Sequence, residues 1–438
     1  MAETKPPMSR IIVIGAGVMG LAAAYQALVN GHQVDILEAS TEPGGMAAHF
    51  DFGGVSIERF YHFVCRSDHP TFELLAELGI ADKMRWVETS MGFFHHGTLH
   101  HWGDPISLLM LPGVSLTSKL RYGLFVFACT RRDQWPSLEH QSATEWITRY
   151  CGKDIYDRFW HPLLDFKYYE YANNISAAWI WTRIRRIGKS RKNIMQEELG
   201  YIEGGSKTLV DTLLDAIARR GGRLHLGTPV QRVVIENNRV TGVATSASHF
   251  SADAVISTVP IPLIAGMIPD LPPEWKARYE AIHSIGVICV ILKLKQSVSP
   301  HFWVNISEQG IEIPGVIEFS NLRRVNDTTI VYVPYYMPVT NAKFSWSDDK
   351  LRDDAFSCLQ RINPALTRSD IIDVKVARLK HGQPICEPGF AAKIPPIQTP
   401  IRGLQIADTC FYYPEDRGIA ESVRLGRNMA RSIESNCP

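Results

Sequence analysis

The stretch Arg10-Ile11-Ile12-Val13-Ile14-Gly15-Ala16-Gly17-Val18-Met19-Gly20 decides the architecture. Its first five residues form a short apolar run rich in β-branched side chains, as suits a strand buried on both faces. The run breaks at a G-x-G-x-x-G pattern, Gly15, Gly17 and Gly20. Beyond it Val18, Leu21, Ala22, Tyr25, Leu28 and Val29 recur at helical spacing, and Asn30-Gly31 supplies the stop. A second strand, Gln33-Val34-Asp35-Ile36-Leu37, ends at Glu38. This βαβ unit predicts a mainly parallel sheet whose first turn receives a dinucleotide. The first glycine makes the tight turn, the second lets the backbone approach a pyrophosphate, and the third allows close helix–strand packing. The helix N-terminus, at Val18 and Met19, adds the positive dipole end. Glu38, eighteen residues beyond Gly20, and the adjoining Ala39 sit where a ribose hydroxyl pair is held. A carboxylate there repels a 2′-phosphate and argues against NADP.

The rest of the composition narrows the classes. At 438 residues the chain has room for two or three modules. Lys+Arg 46 against Asp+Glu 45 gives a net charge of +1, which argues against a dedicated nucleic-acid binder. The eight cysteines form no C-x-x-C pair, so neither a disulfide scaffold nor a zinc cage is expected. The polar first ten residues lack the apolar core of a signal peptide, and no apolar run approaches the ~20 residues of a membrane span. A cytoplasmic protein is the expectation.

Farther along, residues 71–200 are aromatic-rich and helical in texture, with Trp86, Trp102, Trp135, Trp146, Trp160, Trp179 and Trp181. A nucleotide-binding texture returns where Gly204-Gly205-Ser206 opens a helix over Leu209 to Arg220. A strand from Arg223 to Leu226 follows, then a hairpin from Val230 to Ile235 and Arg239 to Val243 turning at Asn237-Asn238. Ala254-Val255-Ile256 predicts another buried strand. Alternating strand patterns fill the region to about Ile372, and Leu404 to Asp408 with a helix over Ile419 to Ile433 closes the chain.

Five residues past the acid, Pro43-Gly44-Gly45-Met46 adds a second glycine pair. Together with Gly204-Gly205, the Val230 hairpin and Asp408, it resembles the FAD-binding fold of the amine oxidase, protoporphyrinogen oxidase and carotenoid desaturase superfamily. The likeness runs through nearly the whole chain in element order, while its sharp motifs occupy three patches. The resemblance implies an α/β fold: a Rossmann-like FAD-binding domain of the two-dinucleotide-binding type with an inserted mixed α+β substrate domain. It assigns residues 1–70, 200–265 and 373–438 to the first and residues 71–199 and 266–372 to the second. It also implies non-covalent FAD in contact with Gly15, Gly17, Val18, Met19, Gly20, Glu38, Ala39, Gly44, Gly45, Met46, Val230, Asp408, Gly418 and Ile419. The adenine would meet main-chain atoms at Val230, the ribityl-pyrophosphate would lie near Asp408, and the last helix would aim its N-terminus at the flavin. Many amine oxidases carry an arginine where this chain has Met46. The lysine that holds a water at flavin N5 in those enzymes has no secure match, Lys293 and Lys295 being unremarkable in their strand.

A second resemblance concerns Phe60-Tyr61-His62-Phe63-Val64-Cys65-Arg66-Ser67-Asp68, which is similar to the UDP-galactopyranose mutase segment that carries a histidine near the flavin. Tyr412-Tyr413-Pro414-Glu415-Asp416-Arg417-Gly418-Ile419 echoes the C-terminal flavin loop of those enzymes. His62 is therefore the candidate catalytic residue, with a satisfied histidine under an interface as the alternative. Tyr61, Lys167, Tyr169 and Tyr413 are the candidate substrate-binding residues, a snorkelling surface lysine being the alternative for Lys167. Six positive charges between Arg183 and Lys192 suit a solvated face, an anionic substrate group or an acidic membrane surface. Leu116 to Arg132 suits a core helix or an interfacial one, so peripheral membrane contact stays open. His95, His96, His100 and His101 fall on alternate faces of a hairpin, and no metal site is expected.

The function implied is hydride transfer from a C–N or C–C bond of a small molecule, apolar or a sugar nucleotide, to flavin N5. A redox-neutral sugar-nucleotide mutase and a non-catalytic escort-type binder are the alternatives. The oligomeric state is not legible in the sequence.

Overall fold

The computed structural model describes residues 8–433. The fingerprint strand Arg10–Ile14 lies in the middle of a five-stranded parallel sheet. Its order is Arg223–His225, Gln33–Leu37, Arg10–Ile14, Ala254–Ser257, Leu404–Ile406. The register pairs Ile12 with Asp35 on one side and Val255 on the other. Alternation along the strand sends Ile11 and Val13 to one face and Ile12 and Ile14 to the other. The first face packs on three helices, Val18–Val29, Ser206–Arg219 and Ile419–Ser432, through Leu21, Leu209, Leu213, Val423 and Met429. The second face packs on the hairpin Val230–Glu236 and Arg239–Thr245 through Val233, Val240 and Val243. That hairpin turns at Asn237 and Asn238, both at positive φ, the pairing a two-residue turn requires. The fold is α/β, in agreement with the sequence.

A seven-stranded sheet forms the second body of structure. Its order is Ile371–Pro384, Ser284–Leu294, Thr329–Met337, Gly315–Glu318, Trp303–Ile306, Met91–His95, Thr98–Trp102. All neighbours are antiparallel except the parallel pair Trp303–Ile306 and Met91–His95. Ile288, Val290 and Leu292 face the helix Asp348–Ile362, packing with Leu351 and Leu359. Cys289 and Ile291, one residue out of phase, face Phe52, Ile57 and the Phe60–Phe63 loop. This inner face turns toward the dinucleotide fingerprint. The strand Ile371–Pro384 runs straight through the boundary expected at residue 373 and pairs with Ser284–Leu294 as far as Pro384, so residues 373–384 belong to this sheet. A helical layer, Leu116–Arg131, Ala143–Cys151, His161–Tyr168 and Ala177–Lys189, completes it around Phe125, Trp146, Trp179 and Trp181.

Candidate functional site

The carboxyl ends of the parallel strands converge on the glycine turn, the place where open α/β sheets bind ligands. Gly15 sits at φ +104° and donates its N–H to the Leu37 carbonyl at 2.9 Å. A Cβ on Gly20 would lie 2.0 Å from the Gly15 carbonyl oxygen, so the helix can rise this close to the turn only at a glycine. Gly17 is the N-cap of Val18–Val29, and no side chain caps that end. The Val18 and Met19 side chains are buried, which leaves the backbone N–H groups of the first turn as donors for an anion. The second glycine pair lies directly on the first. Gly44 bridges Gly17, its N–H reaches the Ala16 carbonyl at 2.8 Å, and a Cβ on Gly45 would stand 3.0 Å from Gly17 Cα. The two motifs form one backbone-lined trough, with Gly45 exposed along it. Met46 follows in the short turn Gly45–Ala47 and adds no charge.

Glu38 stands at the end of the second strand, its carboxylate accepting the Ala16 N–H at 2.7 Å and the Ser40 N–H at 2.8 Å. The carboxylate is thereby fixed beside the trough, and Ala39 lies between these anchors. Thr228 N–H donates to the Glu38 carbonyl at 2.8 Å, which brings Val230, the first residue of the hairpin, alongside. Asp408 ends the neighbouring edge strand. Its two oxygens accept the Ile261 and Cys410 N–H groups, each at 2.8 Å. Burial raises this carboxyl above its ordinary value, an effect those donors only partly offset. It acts here as a clamp between two strand ends. Gly418 is the N-cap of Ile419–Ser432, and the helix crosses the fingerprint helix closely: a Cβ on Gly426 would lie 2.1 Å from the Met19 carbonyl oxygen.

A polar cluster faces this trough from the inner side of the large sheet. Tyr61 packs edge-on to Trp303 at 5.4 Å and Tyr332 at 5.8 Å, and burial raises its hydroxyl pKa well above the ordinary value, with Tyr336 adding to the effect. Burial lowers the His62 pKa, Glu58 opposing, so the imidazole is neutral at pH 7; its buried Nδ1 has no partner. Lys167, on the helix His161–Tyr168, points its Nζ over the Tyr336 ring at 5.1 Å, and burial pushes it down to about 7, with Arg183 adding and Asp416 opposing. Burial works to raise Asp416, but Arg183, at 2.8 Å, and Lys167, Arg417 and Arg186 outweigh it and hold the carboxyl low. Arg417 follows in the chain and donates to the Gly382 carbonyl.

Not every predicted residue joins this cluster. The Tyr413 ring sits between Trp135 and Phe390 and its hydroxyl is held by Ser176 and Glu139, so it packs the helical layer. Tyr169 takes φ +51° at the end of its helix, so its side chain leaves the Lys167 side for the neighbourhood of Glu312. Lys293 donates to the Phe52 carbonyl at 2.8 Å. Sequence reasoning missed Tyr336, Asp416 and Arg417 as side chains of the cluster. Tyr332 and Tyr336 share a face of Thr329–Met337 by strand alternation, which was the available signal. The basic run is largely spent internally: Arg183 on Asp416, Arg185 and Lys189 on Asp133, Arg186 on Asp68, Lys192 on Glu88. That removes its support for a sugar-nucleotide site. Among the described residues no three His, Cys, Asp or Glu side chains are grouped to hold a metal ion.

A family model described as flavin containing amine oxidoreductase matches residues 19–386. The chain belongs to this family. It is an FAD-dependent oxidoreductase, and the uncapped helix end, the glycine trough and Glu38 fit an FAD. Zeta-carotene desaturase of Zea mays is 26% identical over 329 residues, 66% of this chain and 56% of the maize protein. Polyamine oxidase 5 of Oryza sativa subsp. japonica is 26% identical over 393 residues, 83% of this chain and 74% of the rice protein. The matches span 54–63% of the length of the zeta-carotene desaturases. Putrescine oxidase bound to putrescine shares the fold, with a TM-score of 0.73 at 16% identity over 98% of this chain and 99% of that one.

Proposed function

We propose that this flavin amine oxidoreductase oxidises a C–N or C–C bond of a small molecule held between the glycine trough and the Tyr61–His62 loop. The observation that carries the proposal is the cluster of Tyr61, His62, Lys167, Tyr336, Asp416 and Arg417 beside the N-terminus of the last helix. When bound, FAD accepts a hydride at N5. In this account the protein binds it non-covalently. Gly15, Gly17 and Gly20, with the N–H groups at Val18 and Met19, hold the pyrophosphate, and Glu38 and Ala39 take the ribose. Gly44, Gly45 and Met46 flank the flavin side, Val230 meets the adenine, and Asp408, Gly418 and Ile419 close the far end.

His62, neutral at pH 7, has Nδ1 free to accept or donate a proton at the substrate. Lys167, held near pH 7, is poised to exchange one with Asp416 nearby. Four cationic groups, Lys167, Arg183, Arg186 and Arg417, face two carboxylates, Asp68 and Asp416. That balance favours a neutral or acidic substrate over a polyamine. The fold divides into an FAD-binding part around the parallel sheet and a substrate part around the seven-stranded sheet.

The test is anaerobic mixing of the FAD-loaded protein with amines, polyprenoids and UDP-sugars, followed at the visible flavin band. Bleaching without added reductant supports the proposal. Conversion of a UDP-sugar only after dithionite reduction, with no bleaching by any candidate, contradicts it.

A further inference from the structure

The helix Leu116–Arg131 is apolar on two sides. Its inner stripe, including Tyr122, Phe125, Val126 and Cys129, packs into the aromatic core, with Phe125 4.6 Å from the Trp146 ring. Its outer stripe, Leu116, Leu120, Leu124 and Phe127, stands in the open, Leu124 at 69% exposure. The preceding helix, Pro105–Met110, continues this surface with Ile106, Leu109 and Met110, the last at 77%. Met195, from the hairpin turn between Arg191–Asn193 and Gln196–Ile202, lines one groove with Ile106 and Met110, and Ile194 beside it is 71% exposed. A helix apolar all round normally lies inside a core or a lipid phase, and contiguous exposed apolar surface marks an interaction site.

The surface is built rather than frayed. Asp104 and Ser107 form a capping box on the first helix and Ser115 caps the second. Lys119 turns inward and ties the two together through the Leu109 carbonyl at 2.6 Å.

The charge on this face decides the occupant. From Pro105 to Arg132, twenty-eight residues, there is no Asp or Glu, while Lys119, Arg121, Arg131 and Arg132 are present. Among the described residues none of these four makes an ion pair. Arg121 donates to the Tyr150 and Arg149 carbonyls, Arg132 to the Gln134 carbonyl and the Ser137 hydroxyl, and Arg131 lies 5.1 Å over the Phe127 ring. A second copy seated on this face about a two-fold axis would bring these arginines against their own counterparts. An anionic lipid surface meets both features at once: apolar side chains enter the acyl boundary while the arginines stay at the headgroups. No described helix is long and apolar enough to cross a membrane, so the segment lies along the interface.

We propose that the face formed by Pro105–Met110, Leu116–Arg131 and Ile194–Met195 docks the protein on anionic lipid bilayers. The test is co-sedimentation of the FAD-loaded protein with phosphatidylcholine vesicles with and without phosphatidylglycerol. The expected result is binding strengthened by phosphatidylglycerol and weakened by salt. Leu120→Gln with Leu124→Gln should lower the partition by about tenfold or more, and Arg121→Gln with Arg131→Gln should lower it on phosphatidylglycerol by about fivefold per arginine. Both variants should keep the wild-type flavin spectrum and thermal midpoint, since these side chains lie on the surface. No vesicle binding by the wild type overturns the proposal, as does unchanged partition of either folded variant. Self-association in the absence of lipid, abolished by Leu124→Gln, would give the face to a second copy and overturn it too.

Discussion

Gly45→Ala isolates the contact between the two glycine motifs. The new Cβ would stand 3.0 Å from Gly17 Cα and 3.8 Å from Gly17 N, at a residue with φ +58°. Carbon–carbon contacts are best at about 3.5–4.0 Å, so the methyl forces the trough apart by roughly 0.5–1 Å. The left-handed backbone adds roughly 1–2 kcal/mol for alanine. Because Gly17 is the point at which a pyrophosphate meets the helix end, the displacement should appear in cofactor affinity: a loss of about 10- to 100-fold in FAD Kd, or about 1.4–2.7 kcal/mol. Gly79→Ala is the control. It also has a left-handed φ, +74°, but nothing lies within 4 Å of its Cβ, so it should lose stability and leave FAD affinity unchanged. Flavin fluorescence titration of the apo-proteins measures both. A Gly45→Ala protein that binds FAD within about threefold of wild type would refute the shared trough.

Three further substitutions address the cluster. Asp68→Asn leaves the buried Arg186 guanidinium, now held at 2.7 Å, without its partner and should lower unfolding free energy by about 3 kcal/mol, read from the urea midpoint; adding Arg186→Met should recover much of it. Lys167 is held at about 7 against an ordinary 10.5, so the unfolded chain binds the extra proton between those values and the penalty is fully present below pH 7. Lys167→Met should therefore raise the urea midpoint most at pH 6 and least toward pH 10; an equal rise at both would remove the burial argument. His62→Ala should slow flavin reduction by about 10²-fold while leaving FAD affinity unchanged, and an unaltered rate would exclude proton handling at Nδ1.

The nucleotide half of the fold was legible because its constraints are local. Arg10–Ile14, Val18–Val29 and Gln33–Leu37 follow from a buried β-branched run, a glycine turn and helical spacing within thirty residues. The Asn237-Asn238 turn was equally plain. The substrate side was not. Met84–Thr89 forms a strand only because Gln196–Ile202 comes to pair with it, a partner more than a hundred residues away. Lys167 and Asp416 were visible as residues, but their meeting depends on tertiary packing that no spacing encodes. Tyr413 misled for the same reason: its place in a flavin-like loop says nothing of Ser176 and Glu139, which hold its hydroxyl.

The most direct test of the account is reconstitution of the purified wild-type chain with FAD. We predict one flavin per chain, with quenched fluorescence and a visible absorbance band, released intact on denaturation because no covalent link is formed. A chain that is folded by circular dichroism yet takes up no FAD at any concentration would contradict the account at its base.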